Sequence, residues 1–355
     1  MIEKAQRYIL IIVILLLVQV QLGQATGDIQ WLTTFVTLFT AILLEAVPFM
    51  LIGSVVSGLI EVFVPRELIS QRIFRKRFFA IPVFGLLGIL FPVCECGIVP
   101  VIRRLLDKGV PLSCGITYML AAPIVQPIVF VSTLVAFNGS WKVAGLRIIG
   151  GYLTAVLIGM LATFCLDPHS KEHLIFQNKK ATEEETTACC DKPLNARETD
   201  ICKNNKHSSD CHIHTANSRG LLLRICIALA HAADDFLATG SYLIFGAFLA
   251  AGMQTFISQD ALLKLGEGPI QGPIVMMAIA FVISLCAAAD AFVAAAFVQF
   301  PIAARMAFLV MGPMVDIKLL AMYSGFLSKK ATAFVFGLAT LSAFAYAVLL
   351  RHLGV

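Results

Sequence analysis

Charged side chains are scarce in this chain. Asp, Glu, Lys and Arg make up only 14% of its 355 residues, against about 25% in a typical soluble domain. The shortage excludes a large solvated surface. The net charge of +5 is small and scattered, which leaves no nucleic acid among the expected partners. Also missing are a phosphate-cradling Walker loop, a Rossmann glycine fingerprint and a Ser/His/Asp signature. Nothing here marks an enzyme, and any transport must draw its energy from an ion gradient or a partner protein. What the chain has in abundance is apolar surface: 59% hydrophobic residues and a mean hydropathy of +0.86. That composition predicts an all-α polytopic membrane protein.

Apolar segments run over 8–22, 30–64, 78–102, 112–137, 142–165, 221–257, 270–299, 302–327 and 331–350. Lys4 and Arg7 precede the apolar run from Tyr8 to Val18, and no small-x-small cleavage site follows. Residues 1–27 are therefore read as an uncleaved N-terminal transmembrane helix with its N-terminus inside. One long polar stretch, 166–220, separates a membrane repeat over 28–165 from a second over 221–355.

The repeats are visible in a broken apolar segment that occurs twice. Phe91-Pro-Val-Cys-Glu-Cys-Gly-Ile-Val-Pro100 and Ile283-Ser-Leu-Cys-Ala-Ala-Ala-Asp290 superpose at a shift of 190, which lays Cys96 on Cys286 and Pro100 on Asp290. The same shift lays Pro111 on Pro301, Pro123 on Pro313 and Gln126 on Asp316. Upstream, Pro48–Gly53 matches Ser241–Gly246 at a shift of 193. Paired broken helices are a transporter architecture, with the site between the repeats.

The basic residues bear on topology. If each Cys segment crosses fully, the repeats are parallel and Arg103, Arg104 and Lys108 lie outside. If each enters and leaves on one side, every repeat has three crossings and the two are inverted. The inside then holds Lys4, Arg7, the cluster from Arg66 to Arg77, Arg103, Arg104, Lys108, Lys329 and Lys330, leaving little but Lys142 and Lys264 outside. The positive-inside rule favours the inverted arrangement and puts the polar loop in the cytoplasm.

Cys94-Glu95-Cys96-Gly97 is the sharpest chemical motif. Its two thiols and intervening carboxylate cannot share one face of a regular helix, but an unwound backbone could turn them together. Thiolates select Cu(I), Zn(II) or thiophilic arsenic over hard cations. Cys286 supplies a repeat-related thiol, and Cys114 sits near the start of the following helix. The competing reading is that cysteine is simply a small, well-buried apolar residue. A carboxylate at mid-membrane costs about 2.5–3.5 kcal/mol on insertion scales, so each needs a reason. Glu45, Glu95, Asp234, Asp235, Asp290 and Asp316 all lie in apolar surroundings. Asp290 follows Cys286 by one helical turn, and Glu95 and Asp290 are suited to exchanging a proton for an incoming cation. Asp316 has Lys318 beside it, which fits a structural ion pair equally well. Asp234-Asp235 reads as a cap near the interface.

Gly97, Pro100, Pro123, Pro127 and Pro313 are the expected backbone breaks, because proline frees carbonyls from the helix ladder. Gln126 and Asp316 are the polar residues at that level. The loop carries Cys189, Cys190, Cys202, His207, Cys211, His212 and His214, a donor set suited to Cu(I) or Zn(II) in a reducing compartment but matching no zinc-finger spacing.

Cys96-Gly97-Ile-Val-Pro100, Gly109-Val-Pro111 and Ala121-Ala-Pro123-Ile-Val-Gln126-Pro127 resemble the signature of the YraQ-type permeases, which include the ArsP-like organoarsenical efflux permeases. The Cys/His-rich loop resembles the subgroup labelled copper/zinc efflux transporters. The resemblance implies a multi-pass permease of the bacterial inner membrane, with the family's Cys-Gly-x-x-Pro element on Cys96, Gly97 and Pro100. Glu95 and the long loop depart from the core pattern and leave metal cations and arsenicals both open as substrates.

The expectation is an efflux permease for soft metal or metalloid species, proton-coupled through Glu95 and Asp290. Its substrate path would comprise Cys94, Glu95, Cys96, Cys114, Cys286, Asp290, Gln126 and Asp316. No resident cofactor is called for beyond Cu or Zn in transit or held by the loop. The partners are the lipid bilayer, the ion itself, and a second copy of the chain or a metal chaperone. The alternative is a membrane thiol oxidoreductase relaying electrons through Cys94 and Cys96.

Overall fold

The computed structural model describes residues 30–64, 77–90, 93–165, 220–256 and 271–354. The expected N-terminal helix over 1–27, and the loop cysteines and histidines from Cys189 to His214, lie outside the described residues. Every regular element described is helical. That is what a bilayer demands of a mostly apolar chain, since a helix satisfies its own backbone hydrogen bonds.

The described helices fall into two sets of six in the same order. The first set is α1 (Gln30–Phe63), α2 (Arg77–Leu90), α3 (Glu95–Asp107), α4 (Leu112–Ala121), α5 (Pro127–Ala136) and α6 (Trp141–Cys165). The second is α7 (Gly220–Phe256), α8 (Gln271–Ile283), α9 (Ala287–Ala296), α10 (Ile302–Met311), α11 (Ile317–Ser324) and α12 (Lys329–His352). Among the described residues, only α1, α6, α7 and α12 are long and apolar enough to cross a membrane unbroken. At 1.5 Å per residue, a helix of ten to fourteen residues reaches about halfway through a 30 Å hydrocarbon core. The short helices must therefore turn back or join end to end.

The contacts distinguish these two outcomes. Helix α3 lies parallel to α1, with Gly97 against Phe49 and Gly53, the Pro100 carbonyl accepting from Ser57, and Lys108 reaching Glu61 and Val64. It thus begins partway along α1 and runs toward the C-terminal end of α1, where Lys108 satisfies two of the last carbonyls. Helix α4 returns antiparallel, with Gly115 beside Leu106. Thr117, Ile124 and Thr133 meet Gly159, Gly151 and Arg147 in turn, so α4, the break and α5 form one track antiparallel to α6. Helix α2 ends with Gly88 against Ala122 at that break. The Cys segment between α2 and α3 therefore enters and leaves on one side of the bundle, while α4 and α5 traverse it. The breaks follow from local chemistry. Pro123 and Pro127 cannot donate to the ladder, and Pro127 fits at the first turn of α5, where no donor is missed.

The mates α1 and α7 pack along each other and run antiparallel. Phe35 meets Phe248 at 5.3 Å between ring centroids, whereas Gly58 abuts Ala228 and Ala232.

Candidate transport site

The N-termini of α3 and α9 meet in the middle of the fold. Cys94 caps α3 with extended backbone (φ −71°, ψ 169°), and Cys286 caps α9 almost identically (φ −75°, ψ 155°). The backbone thus pairs Cys94, rather than Cys96, with Cys286. Matching by residue identity laid sulfur on sulfur, but α3 has 13 residues to the 10 of α9, and the hairpin absorbs the slip. Beyond it the shift of 190 holds in three dimensions. Pro111 and Pro301 cap α4 and α10, and Gln126 and Asp316 cap α5 and α11.

Cys94, Cys96 and Cys286 line one small cavity together with Glu45, Glu95 and Lys318. Cys94 and Cys96 are hydrogen-bond neighbours, and Cys286 is within hydrogen-bonding reach of Glu45. All three are free thiols. The cavity measures about 10 Å³, roughly the space needed by a single water. Among the described residues, no group of three His, Cys, Asp or Glu side chains stands arranged to hold a metal ion.

Lys318, in the first turn of α11, forms part of the cavity wall. Its ammonium donates to Glu95 Oε1 at 3.3 Å and to the Ser284 carbonyl at 3.3 Å, and lies 3.8 Å from Asp316 Oδ2. All four residues are buried. Ser284 has φ +52°, a left-handed conformation unusual outside glycine, and it turns this carbonyl to the ammonium. Asp316 also caps α11 by accepting from the Leu319 amide, while its Oδ2 accepts no hydrogen bond. Glu95 Oε2 is likewise without a hydrogen-bond partner.

The other expected residues are spread around this centre. Asp290 is buried one turn into α9, with Oδ2 unbonded and close to Gly312. Gln126 turns its amide back to the Pro123 carbonyl at 3.0 Å and does not line the cavity. Cys114 occupies the first turn of α4, at the far end of the α3–α4 hairpin. Pro100 stays within α3 and uses its carbonyl to accept from Ser57. Pro313 lies in the turn between α10 and α11.

Three features escaped the sequence reading. One is the reach of Lys318 across the repeats to Glu95. A second is Arg147, fully buried on α6, which donates to Thr133 Oγ1 at 2.9 Å and to the Ala287 carbonyl at 2.7 Å, beside Asp290. An arginine amid apolar residues was the available signal. The third is a correction: Asp235 is no cap. It lies within α7, where Arg104 and Ser57 bind it.

A family model described as a predicted permease (ArsP_1) matches residues 31–352, nearly the whole described fold. The chain belongs to this family. The permease is 40% identical over 308 residues to the UPF0718 protein YcgR of Bacillus subtilis, covering 86% of this chain and 91% of that one. It is 36% identical over 300 residues to a Streptococcus mutans protein named "Putative two-component membrane permease complex subunit", covering 84% and 89%. No solved structure matches. The permease is a multi-pass protein of the bacterial inner membrane.

Proposed function

We propose that the permease exports a soft metal or metalloid species through the cavity between α3 and α9. The observation that carries this reading is the convergence of Cys94, Cys96 and Cys286 from the two halves of the chain on one buried hollow. Sulfur ligands favour thiophilic ions over the hard cations that outnumber them. The antiparallel packing of α1 on α7 supports an inverted relation between the repeats at 28–165 and 221–355, and a site at their interface suits alternating access. Residues 166–220, which join α6 to α7 and carry four cysteines and three histidines between Cys189 and His214, collect the ion on the cytoplasmic side. Glu95 and Asp290 carry the compensating proton. In support, both are buried and each has a carboxylate oxygen without a hydrogen-bond partner. The name of the Streptococcus mutans relative supports a second subunit working with this chain.

The test is replacement of all three cavity cysteines by serine in a metal-sensitive bacterial host, with the protein level followed in the membrane. Resistance to zinc, copper and arsenite should fall and intracellular metal should rise. Unchanged resistance and unchanged metal content at equal protein level would remove the assignment.

A further inference from the structure

We infer that the Lys318 ammonium is a tethered occupant of the transport site, and that a thiophilic divalent cation and this ammonium hold the site by turns. The inference rests on the thiol-site reading above and adds how the site is kept when empty of substrate.

Space is the first argument. The cavity lined by the three thiols has room for about one water, and Lys318 is one of its walls. A metal ion held by thiolates at about 2.3 Å needs its ligands drawn in on all sides. That cannot happen while an ammonium stands among them. The absence of a ready metal cluster among the described residues fits this, since the acids Glu95 and Asp316 face an amine that shares the cavity wall with the thiols.

Charge is the second. Glu95 has Lys318 within 3.3 Å, and Asp316 has it at 3.8 Å. Two buried carboxylates with no cation between them would be costly in this setting. An exporter that has released its ion must return with the site empty, and a lysine on α11 neutralises Asp316 throughout and holds Glu95 until a proton reaches it. Backbone geometry is the third argument. Ser284, in the break before α9, adopts φ +52° and offers its carbonyl to the ammonium. Strained backbone of this kind persists only where the surroundings enforce it. Glu95 Oε2, buried and without a hydrogen-bond partner, is the vacant ligand position that a cation would take.

Lysine also suits the role better than arginine. Its compact ammonium on a flexible stem can swing out of a small hollow, whereas a planar guanidinium forks between two acceptors and resists displacement. Glu95 is contributed by α3, Ser284 by the segment before α9, and Asp316 and Lys318 by the start of α11, so displacement of one amine loosens contacts between both repeats at once.

The experiment uses the full-length protein in lipid nanodiscs and Cd2+ as the probe. Alkylation of Cys94 and Cys286 by a small methanethiosulfonate is read peptide by peptide, and the Cd2+ concentration giving half protection is recorded. In Lys318→Met, half protection should come at least about tenfold lower than in the wild type, because the competing charge is gone. In Lys318→Arg, it should come at higher Cd2+ than in the wild type. Half protection in Lys318→Met at or above the wild-type concentration overturns the inference. If Lys318→Met does not accumulate, Lys318→Gln, which removes the competing charge and leaves Glu95 and the thiols in place, decides by the same comparison. Failure of Cd2+ to protect either cysteine in any variant, the wild type included, defeats the thiol-site reading itself.

Discussion

Arg104 grips Asp235 with two parallel hydrogen bonds, Nε to Oδ2 and Nη2 to Oδ1, each 2.9 Å long. Ser57 adds a third, to Oδ2 at 2.8 Å. The bidentate fork joins the C-terminal half of α3 to α1 and α7, and so ties the two repeats together away from the cysteines. Bidentate geometry and burial separate this pair from exposed ion pairs worth little. Its counterpart in the second repeat is absent, since α9 carries no basic residue.

Removing one partner should therefore leave a charge stranded. Arg104→Ala is expected to cost about 3 kcal/mol, because Asp235, only 5% exposed, loses its cation. The paired change Arg104→Met/Asp235→Leu should cost clearly less than the sum of the two single changes. Thermal unfolding in nanodiscs measures both. Additive losses would mean that the pair is not coupled.

The close crossing of α1 and α3 permits no side chain at its centre. A Cβ on Gly97 would sit 2.7 Å from the Phe49 carbonyl oxygen, and one on Gly53 would strike the Gly97 backbone. Neither obstacle is a flexible side-chain tip. Gly97→Ala should destabilise by about 1–3 kcal/mol, the range for overpacking, and displace the Cys94–Cys96 turn from Cys286. Gly337→Ala, which meets nothing within 4 Å, is the matched control and should be near neutral. Equal effects of the two would count against the crossing.

The halves and the breaks at Pro123, Pro127 and Pro313 were legible because Pro, Gly and Cys recur at fixed offsets, whereas Gly97 and Pro100, expected as breaks, lie within α3, as Pro48 lies within α1. Pro111 with Pro301, and Gln126 with Asp316, cap matching helices as the shift of 190 implied. The pairing of Cys96 with Cys286 was off by two residues from the cap match of Cys94 with Cys286, because identity of residue says nothing about where a helix starts. Long-range partners were not legible. Lys318 finds Glu95 across 223 positions and Arg104 finds Asp235 across 131, and no local pattern encodes either. Asp235 looked like a cap because acids gather at helix starts, yet its helix begins well upstream at Gly220.

Arg147 presents the converse of Lys318, a cation held in place. It is fully buried, anchored to Thr133 and to the first carbonyl of α9, and stands beside Asp290. Arg147→Ala should cost about 3 kcal/mol and strand Asp290. Adding Asp290→Asn should restore part of the loss, since the uncompensated charge then goes. Arg147→Lys should not substitute fully, because one ammonium cannot reproduce a planar fork aimed at two acceptors. Unfolding midpoints of the three variants order these effects, and an Asp290→Asn change that deepens the Arg147→Ala defect would contradict the pairing.

The re-entrant path of the Cys segments fixes which thiols can meet. With α3 starting partway along α1 and α9 starting opposite it, Cys94 and Cys286 face one hollow, whereas Cys114 lies at the remote end of the α3–α4 hairpin. In a chain keeping only Cys94 and Cys286, a short thiol-to-thiol cross-linker should join α3 to α9. In a chain keeping only Cys114 and Cys286, it should not. Because 192 residues separate Cys94 from Cys286 in sequence, proteolysis within the 166–220 loop yields two fragments that stay together on a denaturing gel only when cross-linked. Two fully crossing Cys segments, each a continuous helix through the bilayer, would not bring two helix N-termini together. Equal cross-linking of both pairs, or none in the first, would therefore require the hairpin to be redrawn.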